Sequence, residues 1–421
     1  MTKESWSCES LHHAVYAAPD VLRHCCKRFF VDGNLKGDVE IHKVSSDTDI
    51  SYDSIREKKV QLHRDINSGK NTACSGCPWL VKKQWPDLEN LELNLISIEH
   101  HSVCNLRCTY CSDMYYGGKK PSYSIRKLFD NLSEADALSK KMSLIWGGGE
   151  PVIFGGFNDL FRSLTNRFRP NSNHVFTNAI KYSLVLEEYL KSEKVTVTIS
   201  MDAGTPETFL AVRGRNRFFQ VLENLELYCR AGSERVIIKY ILMETNSSDE
   251  EIESFVSYVK KYNLTDCSFQ ISADFKDEVV AEKLIRAAKS LYDGLRELEI
   301  AMVNYDYHLR PRMAKVTSSG RLVEKNSLSE QKSIIVWGAG EYAIRLMESK
   351  QLSERVKFFV DSDISKCGEK IAGKTIYDPK KILEEKSPFI FIASSQFYGE
   401  ICKEIVDMGL NLGNIIDADT I

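Results

Sequence analysis

LNLISIEHHSVCNLRCTYC, residues 93–111, is the stretch whose reading decides the fold. Its first eight residues are an apolar run of strand length, and the remainder is a loop with cysteines at 104, 108 and 111. Toward the C terminus, short apolar runs alternate with segments of helical period. MSLIW (142–146) reads as a strand ending in GGGEP, FNDLFRSLTNRF as a helix, HVFTN (174–178) as a strand and SLVLEEYLKSE as a helix. VTVTISMD (195–202), RVIIKYIL (235–242) and CSFQIS (267–272) continue the strands, with helices through FFQVLENLELYCRAG and EEIESFVSYVKKY between them. SYSIRKLFDNLSEADAL reads as the helix after the cysteine loop. This order predicts an α/β fold with a parallel sheet of about six βα units, short of the eight in a closed barrel.

The chain has 421 residues, enough for two or three domains with their own cores. Residues 1–91 form a cysteine-rich N-terminal region, 92–275 the βα core, 276–331 a long helix (278–303) and a polar linker, and 332–421 a second α/β segment. Lys and Arg number 56 against 59 Asp and Glu, and no long basic block is present, so neither nucleic acid nor a membrane surface is an expected partner. The first residues lack the layout of a signal peptide, and 18 consecutive apolar residues occur nowhere, so a soluble cytoplasmic protein is expected.

Of twelve cysteines, eight lie in the first 111 residues, several as close pairs. Cys229, Cys267, Cys367 and Cys402 are scattered through apolar patterns and are expected to be small core residues. The clustered eight call for a metal. Thiolates at spacings of four and three can hold three irons of a cubane cluster, leaving one iron open to a substrate, and Tyr110 could pack over the sulfurs. A zinc ribbon of Cys74, Cys77, Cys108 and Cys111 is the competing reading, but it gives Cys104 and GGGEP no role.

Cys104, Cys108, Tyr110 and Cys111 resemble the CxxxCx(aromatic)C signature of the radical S-adenosylmethionine (SAM) superfamily. The resemblance extends over roughly residues 93–275 and implies a partial (βα)6 barrel, a [4Fe-4S] cluster on the three cysteines and SAM on the open iron. It further implies that Gly148, Gly149 and Glu150 of GGGEP meet the methionine amino group, and that Asn178, Ser200 and Asp202 at later strand ends approach SAM. Arg213 in AVRG sits where relatives place a partner for the SAM carboxylate. Reductive cleavage of SAM would then give a 5′-deoxyadenosyl radical that removes a hydrogen atom from substrate, with a reductase, flavodoxin or ferredoxin as electron donor.

HCCKRFF (24–30) and ACSGC (73–77) supply Cys25, Cys26, Cys74 and Cys77, and Cys8 is a fifth thiol. Short helical stretches are expected around Cys25 and Cys26 and a loop around CSGC. One of the vicinal pair together with Cys8, Cys74 and Cys77 could hold a second iron–sulfur cluster, and zinc would accept the same closed site. Relatives with auxiliary clusters usually carry those cysteines after the barrel. His12, His13, His24, His100 and His101 are expected to pack or cap.

GAGEYA (338–343) follows the strand SIIVW and opens a helix, with Asp361 at the end of the next strand, 21 residues after Gly340. Gly338, Gly340 and Asp361 thus read as a nucleotide-binding turn of a small Rossmann-like domain, similar to those attached to enzymes of nucleotide-sugar modification. A packing module is the competing reading. The combined expectation is redox or epimerising chemistry on a sugar or nucleotide-linked substrate. Peptide oxidation or crosslinking, and a zinc-stabilised nucleotide-binding scaffold, stand as alternatives. No catalytic side chain is assigned.

Overall fold

The computed structural model describes residues 4–111, 118–276, 278–306, 309, 333–347, 353–386, 388–394, 401, 404–405, 407–410 and 415–416. Most of the expected linker, and Cys402, lie outside the described residues. The chain forms two compact units, one of residues 1–269 and 274–279, the other of 270–273 and 280–421.

Strands in the first unit are β1 (Ser5–Ser7), β2 (Ala14–Ala17), β3 (Val21–Arg23), β4 (Arg28–Val31), β5 (Asn34–Gly37), β6 (Glu40–Lys43), β7 (Val81–Lys83), β8 (Leu93–Ile98), β9 (Leu138–Trp146), β10 (Ser172–Thr177), β11 (Thr196–Ser200) and β12 (Val236–Leu242). Next come β13 (Ser268–Ala273), which the division crosses, and β14 (Val303–Tyr305). A ten-stranded sheet has the order β14-β13-β12-β11-β10-β9-β8-β2-β3-β6. Neighbours from β2 through β8 to β12 are parallel, and β3 and β6 extend the β2 edge antiparallel. Parallel neighbours require crossovers, and helices supply them.

The helices are α1 (Glu9–His13), α2 (Tyr52–Asn67), α3 (Ile125–Glu134), α4 (Phe157–Phe168), α5 (Leu184–Lys191), α6 (Pro206–Arg213), α7 (Phe218–Gly232), α8 (Asp249–Lys261) and α9 (Glu282–Glu297). In α3 the buried residues Ile125, Leu128, Phe129 and Leu132 repeat at helical spacing, and the Ser124 hydroxyl accepts from the Lys127 amide to start it. Trp146 on β9 packs on Phe157 and Phe161 of α4, and Phe161 on Tyr189 of α5, so one aromatic seam joins sheet to helices. Helix α6 has Thr205 as cap, Pro206 in its first turn and Gly214 beyond its end at φ +75°, so sequence fixes both its limits.

Two expectations are corrected. Cys25 and Cys26 lie in the irregular connection between β3 and β4, not in a helix. The hairpin signal is VDGN: Asp32 and Gly33 both take positive φ (+50° and +78°), as a two-residue turn between right-twisted strands requires. The helix expected over 278–303 spans only 282–297, because Glu299 turns left-handed at φ +61°. Cys229 and Cys267 are buried and hydrogen-bonded to each other, while Cys367 is only half-buried in a turn.

In the second unit β15 (Ile334–Trp337), β16 (Val356–Val360), β17 (Lys370–Ile371), β18 (Lys374–Tyr377), β19 (Ile390–Ile392) and β20 (Ile415–Ile416) form a six-stranded sheet, order β17-β18-β16-β15-β19-β20. All pairs but β17–β18 are parallel. Two buried clusters, one around Trp337 and Ile390 and one around Val336 and Phe359, use alternate residues of the same strands. The short helix α10 (Glu341–Leu346) follows β15. Among the described residues no helix is long and apolar enough to cross a membrane.

Candidate active site

The three-cysteine loop leaves the carboxyl end of β8 and is pinned at several points. Arg107 and Thr109 amides donate to the carbonyls of Arg213 and Val212 at the end of α6 (3.1 and 2.9 Å), and Lys276 Nζ donates to the Thr109 carbonyl. Leu106 is buried beneath the loop, while Cys104 is exposed and Cys108 and Cys111 are half-buried. The Leu106 amide and Asn178 Nδ2 point at Cys104 Sγ (3.4 and 3.9 Å). Donors aimed at a sulfur favour its thiolate, the form that binds metal. Three reachable thiols on a fixed loop fit a cubane with one corner left to a ligand.

GGGEP runs beside the segment that leads into this loop. The Gly147, Gly149 and Glu150 amides donate to the carbonyls of Ile98, His101 and Val103 at 3.1, 2.8 and 2.8 Å. A Cβ on Gly148 (φ +89°) would stand 2.7 Å from the His101 oxygen, and one on Gly149 would stand 2.1 Å from the Val103 oxygen. These two glycines are therefore demanded by backbone running against backbone, whatever a ligand adds.

Glu150 is buried and knits strand ends together. Its Oε1 accepts from Thr177 Oγ1 (2.6 Å) and its Oε2 from the Asn178 amide (2.6 Å), while the Asn178 side chain donates to Asn105 Oδ1 (2.7 Å). Burial pushes the Glu150 carboxyl up to about 7 against the opposing pull of the Thr177 and Asn178 hydrogen bonds. Ser200 ends β11, half-buried.

Asp202, Arg213 and Tyr110 form a buried triad. Tyr110 Oη donates to Asp202 Oδ2 (2.7 Å), and Arg213 Nη1 reaches both Asp202 Oδ2 and Tyr110 Oη, the latter at 2.6 Å. Asp202 Oδ1 accepts from the Ile241 amide at 2.7 Å, and the Asp202 carbonyl from Asn246 Nδ2 at 2.9 Å. Asp202 is wholly buried and Arg213 is 2% exposed. Burial raises the Cys108 thiol, and Arg213 and a Tyr110 hydrogen bond oppose that rise, so the triad also faces this sulfur. Arg213 thus spends its charge on Asp202, and its buried Nε has no partner among the described residues. His101 stacks on Phe154 (4.3 Å between centroids), and burial lowers His100 to about 3 and His101 to about 4, leaving both neutral packing groups.

The thiols Cys74 and Cys77 sit among Cys8 and Cys25, whereas Cys104 and Cys108 sit with Glu150, Asp202 and Arg213. Two separate cysteine groups result, which removes the zinc ribbon that joined Cys74 and Cys77 to Cys108 and Cys111. Cys26 turns away from both and hydrogen-bonds Tyr16.

In the second unit Gly338 (φ +103°) follows β15, and a Cβ there would stand 3.4 Å from the Ala393 carbonyl carbon just past β19. Strand order reverses between β15 and β19, the position where open parallel sheets leave a crevice. Asp361 Oδ2 accepts from the Ala339 amide (2.7 Å) and Lys366 Nζ (2.8 Å), so it braces the turn itself. A Cβ on Gly340 would meet nothing within 4 Å.

Sequence reasoning flagged Asp202, Arg213 and Tyr110 singly without joining them, and it passed over Asn105, Thr177 and Asn246. Asn246 lies in METNSSD, which reads as a helix start. Nothing local marks its bonds to Asp202, 44 residues away.

A parallel α/β sheet bearing an open three-thiolate loop at a strand's carboxyl end defines an enzyme class that binds an iron–sulfur cluster together with a small ligand. Residues 98–259 match the family model described as Radical SAM superfamily, so this part of the chain is a radical SAM domain. Members of that superfamily use a [4Fe-4S] cluster and SAM, and the non-enzymatic scaffold reading falls away. Residues 330–416 match the family described as C2185-like, N-terminal. Among curated relatives, a GTP 3′,8-cyclase of Haemophilus influenzae is 29% identical over 159 residues, 37% of this chain and 47% of that protein. One of Vibrio parahaemolyticus is 24% identical over 188 residues, 43% and 54%. The chain spans about half the length of the curated relatives it matches. A crystal structure of Streptococcus suis SuiB bound to precursor peptide SuiA is 14% identical, with a TM-score of 0.43 over 73% of this chain and 72% of that one.

Proposed function

We propose that this chain holds its [4Fe-4S] cluster on Cys104, Cys108 and Cys111, cleaves SAM reductively, and oxidises or epimerises a sugar or nucleotide-linked substrate in the cytoplasm. The observation that carries the reading is the pinned, reachable three-thiol loop beside Glu150 and Asn178. When bound, the cluster and SAM supply a 5′-deoxyadenosyl radical able to remove a hydrogen atom from carbon. The protein's part is to place and shield. Asn178 and the Leu106 amide stabilise the Cys104 thiolate, and Glu150 ties the ends of β9 and β10 together while keeping acceptor capacity for the methionine ammonium. Ser200 lines the same row of strand ends. Arg213, Tyr110 and Asp202 fix the far side of the loop and turn a positive group toward Cys108.

The nucleotide-linked substrate is supported by the β15–β19 crevice at Gly338 and by relatives whose name specifies GTP. An electron donor of the flavodoxin, ferredoxin or reductase type completes the reading. The test is anaerobic incubation of the reconstituted full chain with SAM, dithionite and a panel of nucleotides and nucleotide sugars. The expected result is 5′-deoxyadenosine, lost in the Cys104→Ala/Cys108→Ala/Cys111→Ala variant, with deuterium entering it from one labelled substrate. Product formation unchanged in that variant overturns the cluster assignment, and no acceleration by any nucleotide or nucleotide sugar overturns the substrate class.

A further inference from the structure

We propose that Cys8, Cys25, Cys74 and Cys77 form a second metal centre, a [4Fe-4S] cluster ligated entirely by protein, and that Cys26 is not a ligand. Three chain segments converge to build it. Strand β1 pairs antiparallel with β7 so that Ser7 faces Val81, and Cys8 follows directly after that pair. The Leu80 amide donates to the Cys77 carbonyl (3.3 Å), and the Cys77 amide to the Cys74 carbonyl (3.0 Å), closing CSGC into a tight turn. Gly76 takes φ +81° there, and a Cβ on it would stand 2.7 Å from Val31 Cγ2.

Val31 belongs to the hairpin that Cys25 leads into. The same hairpin lays Phe29 edge-on to Trp79 (6.2 Å between centroids), and Lys36 Nζ donates to the Ser75 carbonyl (3.3 Å). Cys8 therefore comes from one side, the CSGC turn from a second and Cys25 from a third. Cys8 and Cys25 are among the groups close enough to act on both Cys74 and Cys77. Among the described residues none of the four is in a disulfide.

Lys59 is the second pointer. It is wholly buried, its Nζ donates to the carbonyls of Leu11 and Ala14 (2.8 Å each), and Cys8 and Cys25 lie near it. Four thiolates around a cluster make a net negative group, a fitting neighbour for an amine held away from water. Cys26, one residue from Cys25, is hydrogen-bonded to Tyr16 and lies near Glu99 and Arg23 instead. Among the described residues no three Cys, His, Asp or Glu side chains converge on a single-ion position, and that holds for Cys104, Cys108 and Cys111 as well.

The deciding protein is the full-length Cys104→Ala/Cys108→Ala/Cys111→Ala variant, reconstituted anaerobically with iron and sulfide. It is expected to retain about four irons and about four sulfides per chain, with Mössbauer parameters of an all-sulfur [4Fe-4S] site, against about twice that iron in the unaltered chain. Adding Cys74→Ala and Cys77→Ala should remove the remainder, and adding Cys26→Ala should leave it. Because the first measurement needs no change in the N-terminal region, misfolding of the later variants does not decide the matter. Zinc at about one per chain in place of iron, or no metal in the triple variant, overturns the proposal. Loss of iron with Cys26→Ala overturns the ligand set. The triple variant makes no 5′-deoxyadenosine either way, so failure here is distinct from failure of the proposed catalytic site.

Discussion

Replacing Asp202 by Asn removes one charge and almost nothing else. Asn is tolerated at the left-handed φ of +55° that Asp202 adopts, so the variant adds no backbone strain. Its amide oxygen still accepts from the Ile241 amide. What is lost is the anion facing Arg213, which is 2% exposed and has no other carboxylate partner among the described ion pairs. Leaving a buried charge uncompensated costs about 3–5 kcal/mol. In a unit of this size each kcal/mol moves the melting point by roughly 2–4 °C, so Asp202→Asn should melt roughly 6–20 °C lower. Arg213→Met leaves Asp202 with two donors, Tyr110 Oη and the Ile241 amide, and should cost less, about 2–4 kcal/mol. The double variant has neither charge, and its loss should not exceed that of the worse single variant, giving a coupling of at least about 2 kcal/mol. Thermal and urea unfolding of the four proteins closes the cycle. Losses that add, or an Asp202→Asn variant as stable as the parent, would refute a buried pair as the brace of the cysteine loop.

Three further outcomes rest on the same geometry. Gly149→Ala puts a methyl 2.1 Å from the Val103 oxygen, so the variant should lose roughly 1–3 kcal/mol and bind less iron at the cysteine loop, whereas Gly155→Ala, which meets nothing within 4 Å, should match the parent in both urea unfolding and iron content. Glu150 stays protonated in the folded chain up to about 7 but ionises near 4.5 when unfolded, so between those values the unfolded state releases a proton that the folded state keeps, and stability falls as pH rises. Relative to Glu150→Gln the parent should therefore lose about 3 kcal/mol between pH 4.5 and 7 and stay level above, and parallel urea-unfolding profiles for the two would contradict this. Lys59→Met strips donors from the carbonyls of Leu11 and Ala14 at the end of α1 and should destabilise by about 1–3 kcal/mol in thermal unfolding.

The strands β8 to β13 were legible because each is an apolar run bounded by turn residues, and all were placed within a few residues of their observed limits. The N-terminal strands were not. AVYA, VLR and EIHK are three or four residues long, too short for alternation to emerge, and they are strands because β8 offers an edge for β2 to pair with. VDGN could have been read as a hairpin turn, since Asp-Gly between apolar residues is a strong local signal. At the candidate site, residue types at strand ends were visible, but their partners were not. Glu150 and Asn178 are 28 residues apart, Tyr110 and Asp202 are 92 apart, and only the sheet order brings either pair together. The GGG run had a second, hidden cause, for its absent side chains make room for the backbone of residues 99–103.

The pairing of β2 with β8 has a bearing on how this enzyme can be handled and how it could have arisen. Tyr16 lies beside Ser97 and Ala17 beside Ile98, so the N-terminal segment zips along the strand from which the cysteine loop departs. A truncated chain starting near residue 92 would present that strand's amides and carbonyls bare, an invitation to self-association. The amino-terminal extension is then less an ornament than a seam, and a lineage that dropped it would have had to supply another selvedge for the sheet.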